Sequence, residues 1–212
     1  MEAKQVSKNR KAVACAIGIA LTFAVGSACS ESFKKQNSQA ERRQIMTMKE
    51  DLKNRSMEIH WPEGFSPAEA DLFSHNELYM NASCERVWSH IIDASKWPEW
   101  YPNSKDVRIL NGDAALKESA TFRWETFGLP LESKVNEFVA FERIGWYGYA
   151  PGTAPAFYHT WYLKPSGNGC LVITDEVGQG AGAAKFREAD EGAVHRGHDL
   201  WLATLKWVSE SK

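Results

Sequence analysis

Apolar and polar positions alternate with period two through much of the second half of the chain, and that alternation predicts β-strands. Residues 76–82 alternate in this way, and six further segments follow at 107–110, 119–127, 131–141, 143–149, 156–163 and 170–177. The connections carry turn chemistry in Asn111-Gly112-Asp113, Gly128-Leu129-Pro130 and Pro165-Ser166-Gly167-Asn168-Gly169, as hairpins require. Between the first two strands the period becomes helical. Ser83 is placed to cap a helix that runs to about Ile92, because its hydroxyl can satisfy a free amide of the first turn. Asp93 or Ser95 starts a short second helix through Trp97-Pro98-Glu99-Trp100, with Pro98 in a first-turn position. Residues 183–210 read as one long terminal helix, and the glycine-rich stretch 178–182 reads as the hinge leading into it.

The same periods separate the faces. Phe122, Trp124 and Thr126 share one face of their strand; Phe157, His159, Trp161 and Leu163 share one of theirs. Leu131, Ser133, Val135, Glu137 and Val139 line up on a third. On the terminal helix Val194, His198, Trp201, Leu205 and Val208 form one apolar stripe that leaves His195 outside it. Three polar groups, Glu137, His159 and His198, therefore fall on faces expected to look inward. Asp175 and Glu176 are adjacent on a strand, so they point to opposite faces and cannot act together.

Composition sharpens this picture in two places. The chain holds 9 tryptophans in 212 residues, and aromatics of this size suggest a broad inner surface, either a ligand cavity or a tryptophan-rich core. The charge is uneven: residues 1–60 carry 11 Lys and Arg against 6 Asp and Glu, and the rest carries 14 against 21. An acidic body lacks the basic footprint that nucleic acid demands, and that partner class is set aside.

The first 28 residues resemble an export signal or membrane anchor, with Lys4, Lys8, Arg10 and Lys11 ahead of an apolar run that ends at Gly26-Ser27-Ala28. Cys29 follows at once and makes the stretch resemble a lipoprotein signal, in which that cysteine is lipidated. Lipidated, cleaved and uncleaved forms all place the body outside the cytoplasm, at the cell envelope. Residues 29–58 read as a charged, solvated tether with some helical character, which gives a possible membrane attachment through the N-terminus. The compact domain is expected at 59–212. Cys84 and Cys170 are the cysteines left in it, either a disulfide or two buried thiols.

One strand, two short helices, six strands and a long helix is a topology as well as a class. Val87-Trp88 with Asp93 and Trp97-Pro98-Glu99-Trp100, then Phe122-x-Trp124, Val135-x-Glu137 and Arg143-Ile144-x-Trp146, resemble the successive motifs of the START and polyketide-cyclase superfamily, SRPBCC. His159-Thr160-Trp161-Tyr162-Leu163-Lys164-Pro165 and His198-Asp199-Leu200-Trp201-Leu202 resemble its later hairpin and closing helix. The resemblance implies an α+β helix-grip fold: a curved seven-stranded antiparallel sheet wrapped around a long C-terminal helix, with two short helices after the first strand. It also implies that the first strand pairs with the last, which would bring Cys84 near Cys170.

The function so implied is binding of a hydrophobic small molecule, lipid-like or aromatic, in an internal cavity. The expected lining is Phe122, Trp124, Val135, Glu137, Trp146, Phe157, His159, Trp161, Val194, His198, Trp201 and Leu205. The alternatives are a cofactor-independent cyclase or dehydrase that uses His198, His159 or Glu137 as acid and base, and a protein-interaction module. No cofactor is expected. No metal site is expected either, because the histidines are scattered and the stripe separates His195 from His198.

Overall fold

The structure, a computed structural model, describes residues 47–110 and 112–211. The expected export signal, Cys29 and the first part of the tether lie outside the described residues. Seven strands form one antiparallel sheet: β1 (Leu72–Met80), β2 (Ser104–Ile109), β3 (Thr121–Thr126), β4 (Leu129–Val139), β5 (Arg143–Tyr149), β6 (Phe157–Ser166) and β7 (Gly169–Gly178). Their order is β1-β7-β6-β5-β4-β3-β2, so the chain returns at the end to pair its last strand with its first. Two helices, α2 (Cys84–Ile92) and α3 (Trp97–Trp100), follow β1. Another helix, α1 (Met48–Asn54), precedes it, while α4 (Gly180–Ala189) and α5 (Ala193–Glu210) close the chain. This is the α+β helix-grip arrangement that the sequence implied. No helix of the described residues is long and apolar enough to cross a membrane.

Local chemistry explains most of the boundaries. The Ser83 hydroxyl accepts from the Arg86 amide and caps α2, and Pro98 sits in the first turn of α3. The disulfide that the topology suggested is present: Cys84 at the start of α2 is bonded to Cys170 at the start of β7, with their Cα atoms 5.1 Å apart. Cys170 is the β7 partner of Met80, so the bridge pins α2 to the seam between the first and last strands.

Several boundaries differ from expectation. Helix α1 belongs to the folded body: Met48 and Asp51 are buried, the Met48 amide donates to Glu191, and Leu52 packs among Phe65, Phe73 and Tyr158. The stretch expected to be solvated as far as residue 58 is therefore part of the folded body from α1 onward. The single terminal helix is two, broken at Asp190, Glu191 and Gly192, where Asp190 and Gly192 leave helical geometry. Both residue types are weak helix formers. The expected glycine hinge is also shorter, since α4 already begins at Gly180.

Both faces of β1, β7 and β6 are covered. Helices α2 to α5 pack on one side, and on the other α1, Ile59, Trp61 and Phe65 lie against Tyr162, Ile173, Phe73 and Tyr158. β1 accordingly starts at Leu72, four residues before the expected strand, with its first five residues all buried and hence no alternation to read.

Candidate functional site

The tryptophan wall turned out to be largely a solid core. Trp97, from α3, sits at its centre, fully buried. Its ring lies 5.3 Å from that of Trp124, 5.8 Å from Trp146 and 5.1 Å from Trp201, and Trp161 is 5.0 Å from Trp201. Tyr101 stacks on Trp201 at 4.4 Å. Most of these are edge-on contacts, the arrangement that the quadrupoles of aromatic rings favour. Phe122, Val135, Trp161 and Leu205, expected to line a cavity, are buried in this core.

Free space survives at one end of the core, where α4 and the start of α5 meet the sheet. A cleft of about 50 Å³ opens there between Trp124, Trp146, Phe157, Val194 and Trp201, all expected lining residues, with His159 and His198 at its floor. Thr126, Phe127, Leu129, Leu131, Ser133, Gly148, Glu176 and Phe186 complete the lining. At the mouth, the Phe127 ring meets Phe186 of α4 at 5.7 Å. Phe127 occupies the left-handed region at φ 52° in the turn between β3 and β4, a conformation that costs a bulky residue energy. The turn holds it there: the Phe127 amide donates to Asn103 Oδ1 at 3.0 Å.

The floor is a His-Glu-His trio. His159 of β6 and Glu176 of β7 are direct cross-strand partners, and His198 comes down from the apolar stripe of α5. Glu176 Oε2 lies 3.2 Å from His198 Nε2 and 3.6 Å from His159 Nδ1. The other ring nitrogens turn to hydroxyls. His159 Nε2 is 2.7 Å from Thr174 Oγ1, and His198 Nδ1 is 2.8 Å from Ser74 Oγ. Both imidazoles are buried. Burial, and then the neighbouring His198, hold the His159 pKa well below the usual imidazole value, which keeps its ring neutral. The arrangement can hold a polar ligand end, move a proton between ring and carboxylate, or ligate a cation.

Glu137 is not in this site. A bulge in β4 between Val135 and Glu137 shifts the pairing with β5 and turns Glu137 to the outer face. There it accepts from Arg143 Nε at 2.8 Å and from the Tyr162 hydroxyl at 3.3 Å. The carboxylate that does reach the cleft is Glu176. Asp175 faces the other way, as expected, and meets His75 at 2.7 Å. The expectation of no metal site also needs correction as regards donors. His195 and His198 do diverge, but the sheet supplies His159 and Glu176, and the three donor atoms lie within 4.8 Å of one another.

With this geometry in hand, the class follows: an open antiparallel sheet closed by a C-terminal helix over an apolar cleft. Residues 76–210 match the model of the family described as polyketide cyclase/dehydrase and lipid transport. The chain belongs to that family. Among solved structures it is similar to hypothetical protein jhp0584 of Helicobacter pylori, with 28% identity and a TM-score of 0.68 over 74% of this chain and 99% of that one. It is also similar to protein CV1439 of Chromobacterium violaceum, with 17% identity and a TM-score of 0.50 over 66% of this chain and 98% of that one. The di-domain ARO/CYC StfQ of the steffimycin biosynthetic pathway shares the fold at 15% identity and a TM-score of 0.53, over 66% of this chain and 52% of that one. No curated protein matches the chain.

Proposed function

We propose that the protein binds a hydrophobic small molecule with a polar end, seated in the cleft with its polar end on His159, Glu176 and His198. The observation that carries this reading is an apolar cleft that terminates on two buried imidazoles and a half-buried carboxylate. Apolar walls with a few convergent polar groups are the usual make-up of small-molecule sites. The free volume of about 50 Å³ is far below the several hundred Å³ such sites offer. Entry of a ligand therefore requires Phe186 to move away from Phe127, which the separate helix α4 permits. The family's own description, which spans cyclases, dehydrases and lipid transport, supports the same class of ligand.

We place the protein outside the cytoplasm, at the cell envelope. The signal-like N-terminus and the Cys84–Cys170 disulfide support this, since such bridges persist in oxidising compartments. One observation favours enzymatic use of the same ligand: both imidazoles lie against Glu176, so the floor has an acid and a base side by side. The test is native mass spectrometry of the full chain purified gently from its own host, followed by organic extraction. A stoichiometric hydrophobic molecule is expected. Phe186→Asp should lower its occupancy about tenfold or more, because it puts an unpaired carboxylate at the mouth. A clean unliganded mass under conditions that preserve weak complexes would overturn the reading. A ligand recovered altered after incubation would identify the enzyme.

A further inference from the structure

We propose that His159, Glu176 and His198 bind one divalent first-row transition-metal ion, of the zinc or ferrous class, at the floor of the cleft. The inference needs no organic ligand and stands apart from the reading above. Its basis is that one carboxylate oxygen is approached by two imidazole nitrogens. Glu176 Oε2 lies 3.2 Å from one and 3.6 Å from the other. One cation placed among them would take both nitrogens and the carboxylate oxygen as ligands at once. Among the described residues no lysine or arginine is ion-paired with Glu176, so the imidazoles are the charge partners it has there.

The geometry suits an ion. Metal–nitrogen and metal–oxygen bonds near 2.0–2.2 Å in a tetrahedral set separate the donors by about 3.3 Å. Two of the three separations already match this, and the third is within 4.8 Å. Rotation about the His159 and His198 side-chain torsions closes the remainder. The three donors stand on three different elements, β6, β7 and α5, which fixes their relative positions.

The surroundings also suit it. In bound imidazole sites the second ring nitrogen is held by a hydrogen-bonding group that sets the ring's orientation. Here Thr174 and Ser74 do this, at 2.7 and 2.8 Å. Burial keeps His159 neutral, the form that ligates. Two histidines and one carboxylate leave a coordination position open, and in this fold it faces the cleft. Both cysteines of the domain are tied up in the disulfide, so no thiolate competes.

The test uses the full chain, stripped with a chelator and titrated with cobalt(II) alone. One equivalent should bind, with visible absorption bands of a nitrogen- and oxygen-ligated ion, and zinc should displace it. His159→Gln and Glu176→Gln should each weaken binding at least about 100-fold, while near-UV circular dichroism stays native. Ser74→Ala removes no donor and should weaken binding about 10–100-fold through the orientation of His198. A folded wild-type chain that takes up no stoichiometric cobalt would overturn the proposal. So would a cobalt spectrum unchanged in both His159→Gln and Glu176→Gln.

Discussion

Gly197 and Phe127 set the width of the cleft mouth. A Cβ on Gly197 would lie 2.3 Å from Phe127 Cζ and 2.6 Å from Cε1, so α5 passes the ring only because it carries no side chain there. The ring cannot simply turn away, since its backbone is fixed in the turn and its other edge meets Phe186. Gly197→Ala should therefore cost about 1–2 kcal/mol through overpacking, and the cost should largely vanish in a Phe127→Ala background. A double-mutant cycle in urea measures this coupling; strictly additive costs would mean the two residues do not press on each other. At this scale the sequence was legible where strand parity held. It placed His159, His198 and Trp124 correctly, because their segments are regular. It misplaced Glu137 because a one-residue bulge reverses parity without leaving any mark in composition. Glu176 escaped for a different reason. Its strand is buried on both faces, Val172 and Thr174 on one and Ile173, Asp175 and Val177 on the other. Alternation carries no sign when both faces are inside.

At the scale of elements, α1 shows how composition misleads. Residues 47–54 are mostly charged or polar and read as solvated chain, yet Thr47 and Glu50 form a reciprocal capping box that marks a helix start. What docks the helix is electrostatic. Asp51 is 2% exposed and lies 2.9 Å from His195 of α5. His195 also faces Asp199, and His75 of β1 faces Asp175, Glu77 and Asp51. Burial alone would lower both imidazole pKa values, but the carboxylates more than offset it and both are raised. A raised folded-state value means these histidines take up protons on folding. Their contribution is complete below the unfolded value of about 6.5 and is lost as pH rises through the folded values. The urea midpoint should thus fall as pH is raised from about 7 towards 8, above the range in which His159, whose value is lowered, acts with the opposite sign. His195→Gln should flatten that slope, and an unchanged slope in the variant would show that His195 is not the group responsible. The break between α4 and α5 was equally hidden. Asp190 and Gly192 are weak helix formers, but tertiary contacts, such as that of Glu191 with Met48, decide where the chain stops.

For the whole molecule, topology was the most legible level, because element order survives errors in any one boundary. The pairing of β1 with β7 follows from that order, and with it the proximity of Cys84 and Cys170. Cavity volume was not legible: whether Trp124, Trp146, Trp161 and Trp201 line a space or fill it depends on Trp97, and nothing in its local sequence says that it inserts between the other rings. The disulfide separates the stability of the fold from the integrity of the cleft. It closes a span of 86 residues that contains β2 to β6, and a loop of that length is worth roughly 2–5 kcal/mol through restriction of the unfolded chain. Reduction, or the pair Cys84→Ala and Cys170→Ala, should lower the unfolding free energy by that amount. The cleft should be spared. Cys170 and Glu176 lie six residues apart on β7, about 20 Å of extended strand, and neither cysteine lines the cleft. Ligand occupancy measured well below the shifted unfolding midpoint should therefore match that of the oxidised protein. Loss of occupancy in a folded, reduced chain would mean instead that the bridge at one end of the sheet holds the His159–Glu176 pairing at the other.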